Sequence, residues 1–221
     1  MFQRDYFMRM IEQMTEAIGQ IMQLRRDRKQ EEALLLIDDL LESRFRLSSK
    51  LVRSLSDEDL MKMMTTNGVV DTDMLAAIAV LVLQEARLQG DLRREDESYA
   101  AALKALQLFI RLSLLGEGSP LADPKAHIGE LLEKLSPYEL PSSTKRLLME
   151  WHEAEGRFDQ TENIMHELLD DEALRPEAAA GIYRRLLLQS DEKLEAGGLP
   201  REEIEQGLAA LLLKYEEAGV E

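Results

Sequence analysis

Residues 62–83 read KMMTTNGVVDTDMLAAIAVLVL, and this stretch decides the fold. The Asn-Gly pair in it is a strong signal for a β-hairpin only where alternating strands flank it, and here helical patterns flank it on both sides. We therefore expect a junction between two helices, in which Gly68 or Asn67 ends the first helix in the left-handed conformation. Asp71 or Asp73 then caps the second helix.

The run that follows the junction, residues 74–83, is apolar on every side of a helix, which is typical of a buried central helix. It is also the longest apolar run, and it is far shorter than the roughly 20 residues that a membrane span needs. Charges are scattered through residues 1–10, unlike a signal peptide. The chain has no cysteine, which excludes disulfides and thiolate metal sites. These features predict a cytoplasmic protein.

The formal net charge of the 221-residue chain is −16, and this charge is unevenly distributed. Residues 1–53 contain ten Lys and Arg against nine Asp and Glu, while the remainder contains 17 against 34. An acidic body opposes duplex DNA binding, which requires a basic face. Basic clusters at residues 25–29 and 44–53 either complement the dipoles at helix C-termini or form a basic rim for an acidic partner.

Apolar residues recur at helical spacing through almost the whole chain, so the sequence predicts an all-α protein of about ten helices. The predicted helices cover residues 2–27, 30–48, 57–66, 71–90, 95–115, 123–135, 142–155, 158–170, 176–189 and 200–218. We expect a single domain over 1–221, with a subdivision into 1–70 and 71–221 as the alternative. A series of paired helices is also typical of proteins with internal helical repeats.

Three segments resemble the turn between the two helices of a tetratricopeptide repeat. They are Glu155-Gly-Arg-Phe-Asp159, Arg28-Lys-Gln-Glu-Glu-Ala-Leu34 and Gln89-Gly-Asp91. Ala33 occupies the small position of the second helix, whereas Thr161 stands where that family prefers glycine or alanine. The whole sequence is similar to an uncharacterised bacterial family of unknown function with a tetratricopeptide-like architecture. This resemblance implies a right-handed array of antiparallel helices and brings no known activity.

The sequence contains no convincing pattern of catalytic or metal-binding residues. His152, Glu162 and His166 fall close together if residues 155–158 form a tight turn, but the Glu-x-x-His pattern of bundle metal sites is absent. No phosphate-binding glycine loop and no serine nucleophile motif is present. We expect a protein that is not an enzyme and that uses no cofactor and no metal.

Methionines and basic residues around the junction suggest a binding groove instead. Methionine gives adaptable apolar contacts, and arginine binds carboxylates in fork geometry, so together they suit an acidic amphipathic segment of a protein or peptide partner. The predicted partner-binding residues are Arg44, Arg46, Lys50, Arg53, Met61, Met63, Met64 and Asn67. Taken one at a time, these residues equally fit core methionines and helix-capping cations.

The function predicted from the sequence is a scaffold or adaptor that binds protein or peptide on the concave surface of a helical array. A peptide-sensing bacterial regulator is the alternative, and an enzyme with an unrecognised site is a third. The absence of a basic N-terminal helix-turn-helix counts against direct control of DNA.

The N-terminal helix predicts self-association, because its apolar stripe is broader than one neighbouring helix can cover. The stripe comprises Phe2, Tyr6, Phe7, Met8, Met10, Ile11, Met14 and Ile18. We expect light scattering at high micromolar concentration to give the mass of a homodimer. A monomer mass under those conditions would contradict this prediction.

Overall fold

The computed structural model describes residues 2–116 and 118–218, with side chains for 8–116 and 118–213. Twelve α-helices account for most of this part of the chain. They are α1 (Phe2–Arg26), α2 (Gln30–Leu40), α3 (Ser49–Ser54), α4 (Asp57–Met63), α5 (Thr72–Asp91), α6 (Glu95–Leu115), α7 (Pro124–Leu135), α8 (Ser142–Ala154), α9 (Phe158–Asp170), α10 (Pro176–Leu186), α11 (Asp191–Ala196) and α12 (Arg201–Ala218). The all-α class predicted from the sequence is confirmed.

The predicted helix over residues 30–48 ends three residues early, and the short helix α3 that follows it was missed. Helix α2 ends at Leu40 and continues as a π-helical turn over Leu41–Phe45, and α3 then begins separately at Ser49. Arg46, with φ of 59°, stops the π-helical turn in the left-handed conformation. Helix α3 has its own N-cap, because the Ser48 hydroxyl accepts a hydrogen bond from the Leu51 N–H. The six-residue α11 was also missed.

The rejection of a β-hairpin at Asn67-Gly68 is wrong. Two-residue strands, β1 (Thr65–Thr66) and β2 (Val69–Val70), pair antiparallel across it. Asn67 (φ 53°) and Gly68 (φ 80°) both adopt positive φ, as a two-residue type I′ turn requires. Helix α4 ends three residues before the predicted end, which leaves room for this small ladder between the helices.

Two compact units divide the chain, unit 1 over Met1–Glu139 and unit 2 over Leu140–Glu221. In unit 1, α1 packs on α2 and α5, α2 packs on α5, and α5 packs on α6, which in turn packs on α7. In unit 2, α8 packs on α9, and α10 packs on both α9 and α12. The single domain predicted from the sequence stays a prediction, and the contacts separate the units after Glu139 rather than after residue 70.

Helix α5 forms the centre of unit 1. Every residue from Leu75 to Ala86 is buried, which confirms the central helix expected from its apolar sequence. Among the described helices, α6 is long and apolar enough to cross a membrane, and 61% of its most apolar window is buried in the protein. Core helices often meet this criterion, so the observation assigns no location to the protein.

The turns between α1 and α2, between α5 and α6, and between α8 and α9 are built alike. Each has one residue of positive φ, Arg28 (59°), Arg93 (58°) or Gly156 (72°). In each turn the next residue donates its N–H to the carbonyl five residues earlier, at 2.9–3.0 Å, which is the Schellman pattern. Three helical hairpins therefore close with the same backbone geometry.

A small buried residue follows each of these turns at the same distance. Ala33, Ser98 and Thr161 are buried in the first turn of α2, α6 and α9, respectively. Each of the three donates its N–H to the carbonyl of the residue four positions earlier, just after the positive-φ residue. A small side chain at this position lets the two helices of each hairpin approach closely. Helices α5 and α6 are close enough for the Ser98 hydroxyl to donate a hydrogen bond to the Ala86 carbonyl on α5, at 2.8 Å.

Asp71, and not Asp73, caps α5. The Asp71 carboxylate accepts a hydrogen bond from the Met74 N–H at 2.9 Å, while that of Asp73 accepts one from the Ser119 hydroxyl at 2.7 Å. We expect Asp71→Ala to lower the free energy of unfolding by about 0.5–2 kcal/mol, because an N–H in the first turn loses its partner. Urea titration monitored by circular dichroism measures this loss.

Asp73→Asn is the matched control, since an amide oxygen can still accept from Ser119. Its free energy of unfolding should stay close to that of the wild type. A larger loss for Asp73→Asn than for Asp71→Ala would contradict the assignment of the cap.

Candidate functional site

The three predicted partner-binding methionines differ in exposure. Met64, which caps α4 at its C-terminus, is buried, Met61 is half-buried and Met63 is exposed. The Met64 carbonyl accepts the Asp71 N–H at 2.8 Å, which extends the hairpin ladder by one bond. Asn67 lies in the hairpin turn and is exposed. Met64 therefore serves the core, and Met63 and Asn67 are accessible to a partner.

The predicted basic residues also divide into accessible and engaged ones. Arg44, Arg46 and Lys50 are exposed. Arg53 lies in the last turn of α3 and is half-buried, and its guanidinium forms an ion pair with the Glu85 carboxylate on α5. Arg53 thus attaches α3 to the central helix.

Glu85 explains why Arg53 is held there. Its side chain is buried, one carboxylate oxygen accepts from Arg53, and the other, Oε2, has no partner among the described residues. Burial raises the pKa of Glu85, the Arg53 charge opposes that rise, and Asp38 adds to it. Removing Arg53 would leave a buried carboxylate without its counter-charge.

A cavity of about 260 Å³ in unit 1 combines methionines with arginines. We call it the methionine cavity, and it is lined by Arg9, Met10, Gln13 and Met14 of α1, by Arg44 and Phe45 of the π-helical turn, and by Met74 of α5. The structure therefore brings Arg44 together with methionines other than the three predicted ones. Of the eight predicted partner-binding residues, Arg44 alone lines this cavity.

The π-helical turn brings Arg44 to the cavity. The extra residue in a π-turn rotates the following side chains, and such turns occur often at functional sites. Here Leu41 and Phe45 are buried while Arg44 stays exposed at the rim. No ion pair joins Arg9 or Arg44 to another described side chain. Both guanidiniums can therefore donate hydrogen bonds to the carboxylate of a ligand.

Unit 2 contains a larger cavity of about 760 Å³ between α8, α9, α10 and α11. Charged side chains of both signs line it, and the Arg185 guanidinium binds both oxygens of Glu153, at 3.1 and 2.8 Å. Because oppositely charged side chains already pair across this cavity, the cavity has little net charge with which to attract a charged ligand.

The three candidate metal ligands in unit 2 do not converge. The Tyr183 hydroxyl donates to Glu162 at 2.6 Å and lies 3.1 Å from His166 Nε2, so two of the three residues hold a buried tyrosine. His152 lies elsewhere, buried with its ring centroid 5.0 Å from that of Trp151. Within the described residues, no three histidine, aspartate or glutamate side chains are placed to hold a metal ion.

Comparison with protein-family models assigns the chain to a family. A model described as a family of unknown function, DUF6483, matches residues 1–216, and the chain belongs to that family. Searches of curated proteins and of solved structures returned no match.

The lowered pKa of His152 predicts that the stability of the folded chain depends on pH. Burial, with a contribution from Arg157, lowers the pKa of His152 to about 4, although Asp159 and Glu155 oppose the shift. The unfolded chain, with an ordinary histidine pKa near 6.5, therefore binds more protons than the folded chain between pH 6.5 and 4, and stability falls as pH falls through this window. We expect wild type to lose about 3 kcal/mol more than His152→Phe between pH 7 and 4.

Urea unfolding of both proteins at pH 7, 5.5 and 4 measures this difference. The other titrating groups are common to the two proteins and cancel in the comparison. Equal losses would show that His152 is not held in its neutral form.

Proposed function

We propose that this member of DUF6483 is a non-enzymatic scaffold or adaptor that binds segments of other proteins. Its helices form a tetratricopeptide-like right-handed array, and it works in the cytoplasm of a bacterium. The observation that carries this proposal is the repeated hairpin, with one Schellman turn and one small buried residue in α1/α2, α5/α6 and α8/α9. Repeated helical hairpins present extended surfaces on which protein partners bind.

The direction of the first helices of two hairpins supports the same architecture. Residues of α1 and α5 line two cavities together, the methionine cavity near Met14 and Met74, and a second near Met22 and Gln84. Residue numbers therefore increase along both helices in the same direction, so α1 and α5 run parallel. Parallel first helices in successive hairpins are what a stacked helical repeat requires.

The methionine cavity is the proposed binding site within unit 1. Met10 and Met74 are half-buried and offer flexible apolar contacts that adapt to different side chains, whereas Met14 is buried in the core beneath the cavity. Arg9 and Arg44 lie beside them and suit carboxylates that flank an apolar anchor. The site lies in residues 1–53 and the start of α5, where the chain is nearly neutral although its total charge is −16. An acidic amphipathic segment matches this site, because its apolar side chains suit the methionines and its carboxylates suit the arginines.

Arg44→Glu tests this site. We expect the variant to lose a protein or peptide partner that wild type captures from cells, because the new charge repels an acidic segment. Affinity capture with mass spectrometry, followed by titration of the identified segment by fluorescence anisotropy, measures the effect, which should be at least tenfold in Kd.

Arg46→Glu is the matched control. It makes the same change of charge two residues away, at an exposed residue outside the lining of the methionine cavity. Capture should persist with this variant, and both proteins should melt near the wild-type temperature. Undiminished capture by a folded Arg44→Glu protein would exclude the methionine cavity as the binding site.

A further inference from the structure

A second cavity in unit 1 concentrates arginines, although the protein as a whole is strongly acidic. It has a volume of about 380 Å³, and we call it the arginine cavity. Its lining consists of Met22, Arg25 and Arg26 from the end of α1, and Gln84, Arg87 and Asp91 from the second half of α5. It shares no residue with the methionine cavity.

Two of its arginines are fixed by carboxylates. Arg25 donates from Nε and Nη2 to the two oxygens of Asp91, at 2.6 and 2.9 Å. Arg87 donates from Nε and Nη2 to Glu130 on α7, at 2.6–3.0 Å. Neither pair uses the Nη1 atom of the arginine. Each guanidinium is therefore held in one orientation and keeps donors for a ligand.

Two further groups are not engaged by the protein. Arg26 is exposed and forms no ion pair with a described residue. Gln84 is only 4% exposed, it lines the cavity, and its amide makes no hydrogen bond to any described residue. The Gln84 amide therefore keeps its hydrogen-bonding capacity for a polar ligand in the cavity.

The charges around the cavity favour an anion. Arg25, Arg26 and Arg87 are three cations, and Lys134 is near enough to lower the pKa of Asp91. Asp91 and Glu130 are the anions, and arginine partners hold the pKa of both below the ordinary value. His127, beside Glu130, has a pKa lowered by burial and stays neutral at pH 7. Four cations and two carboxylates leave two positive charges for a ligand.

We propose that the arginine cavity binds the phosphoryl group of a small phosphomonoester. A carboxylate has two oxygens with about four acceptor positions and carries one negative charge. The donors here come from three guanidiniums and one amide, which exceeds what one carboxylate accepts. A phosphate monoester has three terminal oxygens and about two negative charges at pH 7, which match the donors and the charge. Met22 supplies an apolar lining side chain that the organic part of the ligand can contact.

Isothermal titration calorimetry of the full chain with phenyl phosphate, inorganic phosphate and acetate tests the proposal. We expect heat of binding from the two phosphate probes and none from acetate at the same concentration. Tighter binding of phenyl phosphate identifies an organic phosphomonoester as the ligand. Equal affinity for the two phosphate probes would overturn that part of the proposal and assign the site to free phosphate.

Arg26→Ala is the decisive variant, because Arg26 has no described partner and its loss should leave the melting temperature unchanged. It should weaken phenyl phosphate binding at least tenfold, and Gln84→Met should also weaken it. Arg46→Ala removes an exposed arginine that lines neither cavity and should bind phenyl phosphate as wild type does.

Three outcomes would overturn the proposal. They are the absence of binding by wild type, equal binding of acetate, and wild-type affinity in a folded Arg26→Ala protein. None of them bears on capture of a protein partner at the methionine cavity, so the two proposals fail separately.

Discussion

A helix that is apolar around its whole circumference can exist in water only when other helices cover every side of it, and α5 is such a helix. Burial of apolar side chains is the dominant favourable term in folding, and α5 buries leucine, isoleucine, valine and alanine side chains on all of its sides. Helices α1, α2 and α6 all pack on it. The polar residues near its end, Gln84 and Glu85, are buried by the same packing. Arg53 on α3 pairs with the buried Glu85 carboxylate, and the buried Gln84 lines the arginine cavity.

Covering a central helix with hairpins demands turns that reverse the chain within a few residues. The Schellman turn does this by satisfying the last carbonyls of one helix while the next helix begins. One residue of each turn must adopt positive φ, which is strained for every residue except glycine. Gly156 meets this requirement without strain, whereas Arg28 and Arg93 tolerate it. The geometry recurs although the residue types differ, so the three turns share a backbone constraint and not a sequence motif.

Helix α1 connects the core to both proposed sites. Its buried face, with Met14, Ala17 and Ile21, belongs to the core. Met14 of that face and its neighbours on α1 line the methionine cavity in the N-terminal half of the helix, and Met22, Arg25 and Arg26 line the arginine cavity at its C-terminal end. A single helix therefore contributes to stability and to two surfaces of different chemistry, one adaptable and apolar, the other polar and cationic. Changes in α1 that preserve its buried face can alter either cavity without unfolding unit 1.

Sequence periodicity determined the all-α class, most helix bounds and the burial of α5, because these depend on side chains within one helical segment. The sequence also located the tight turn at Gly156. The predicted partner-binding residues combine Met61, Met63 and Met64 with basic residues, whereas the structure brings Met10, Met14 and Met74 together with Arg44 around one cavity. These residues come from α1, the π-helical turn and α5, and nothing local in the sequence connects them.

The hairpin at Asn67-Gly68, the ion pair of Arg53 with Glu85 and the burial of Gln84 were likewise decided by tertiary structure. A two-residue ladder is too short to show strand periodicity, and the partner of a buried polar group lies on another helix. Local spacing fixes which face of a helix is apolar, but only packing decides which helix covers that face and which polar side chains meet at its edges.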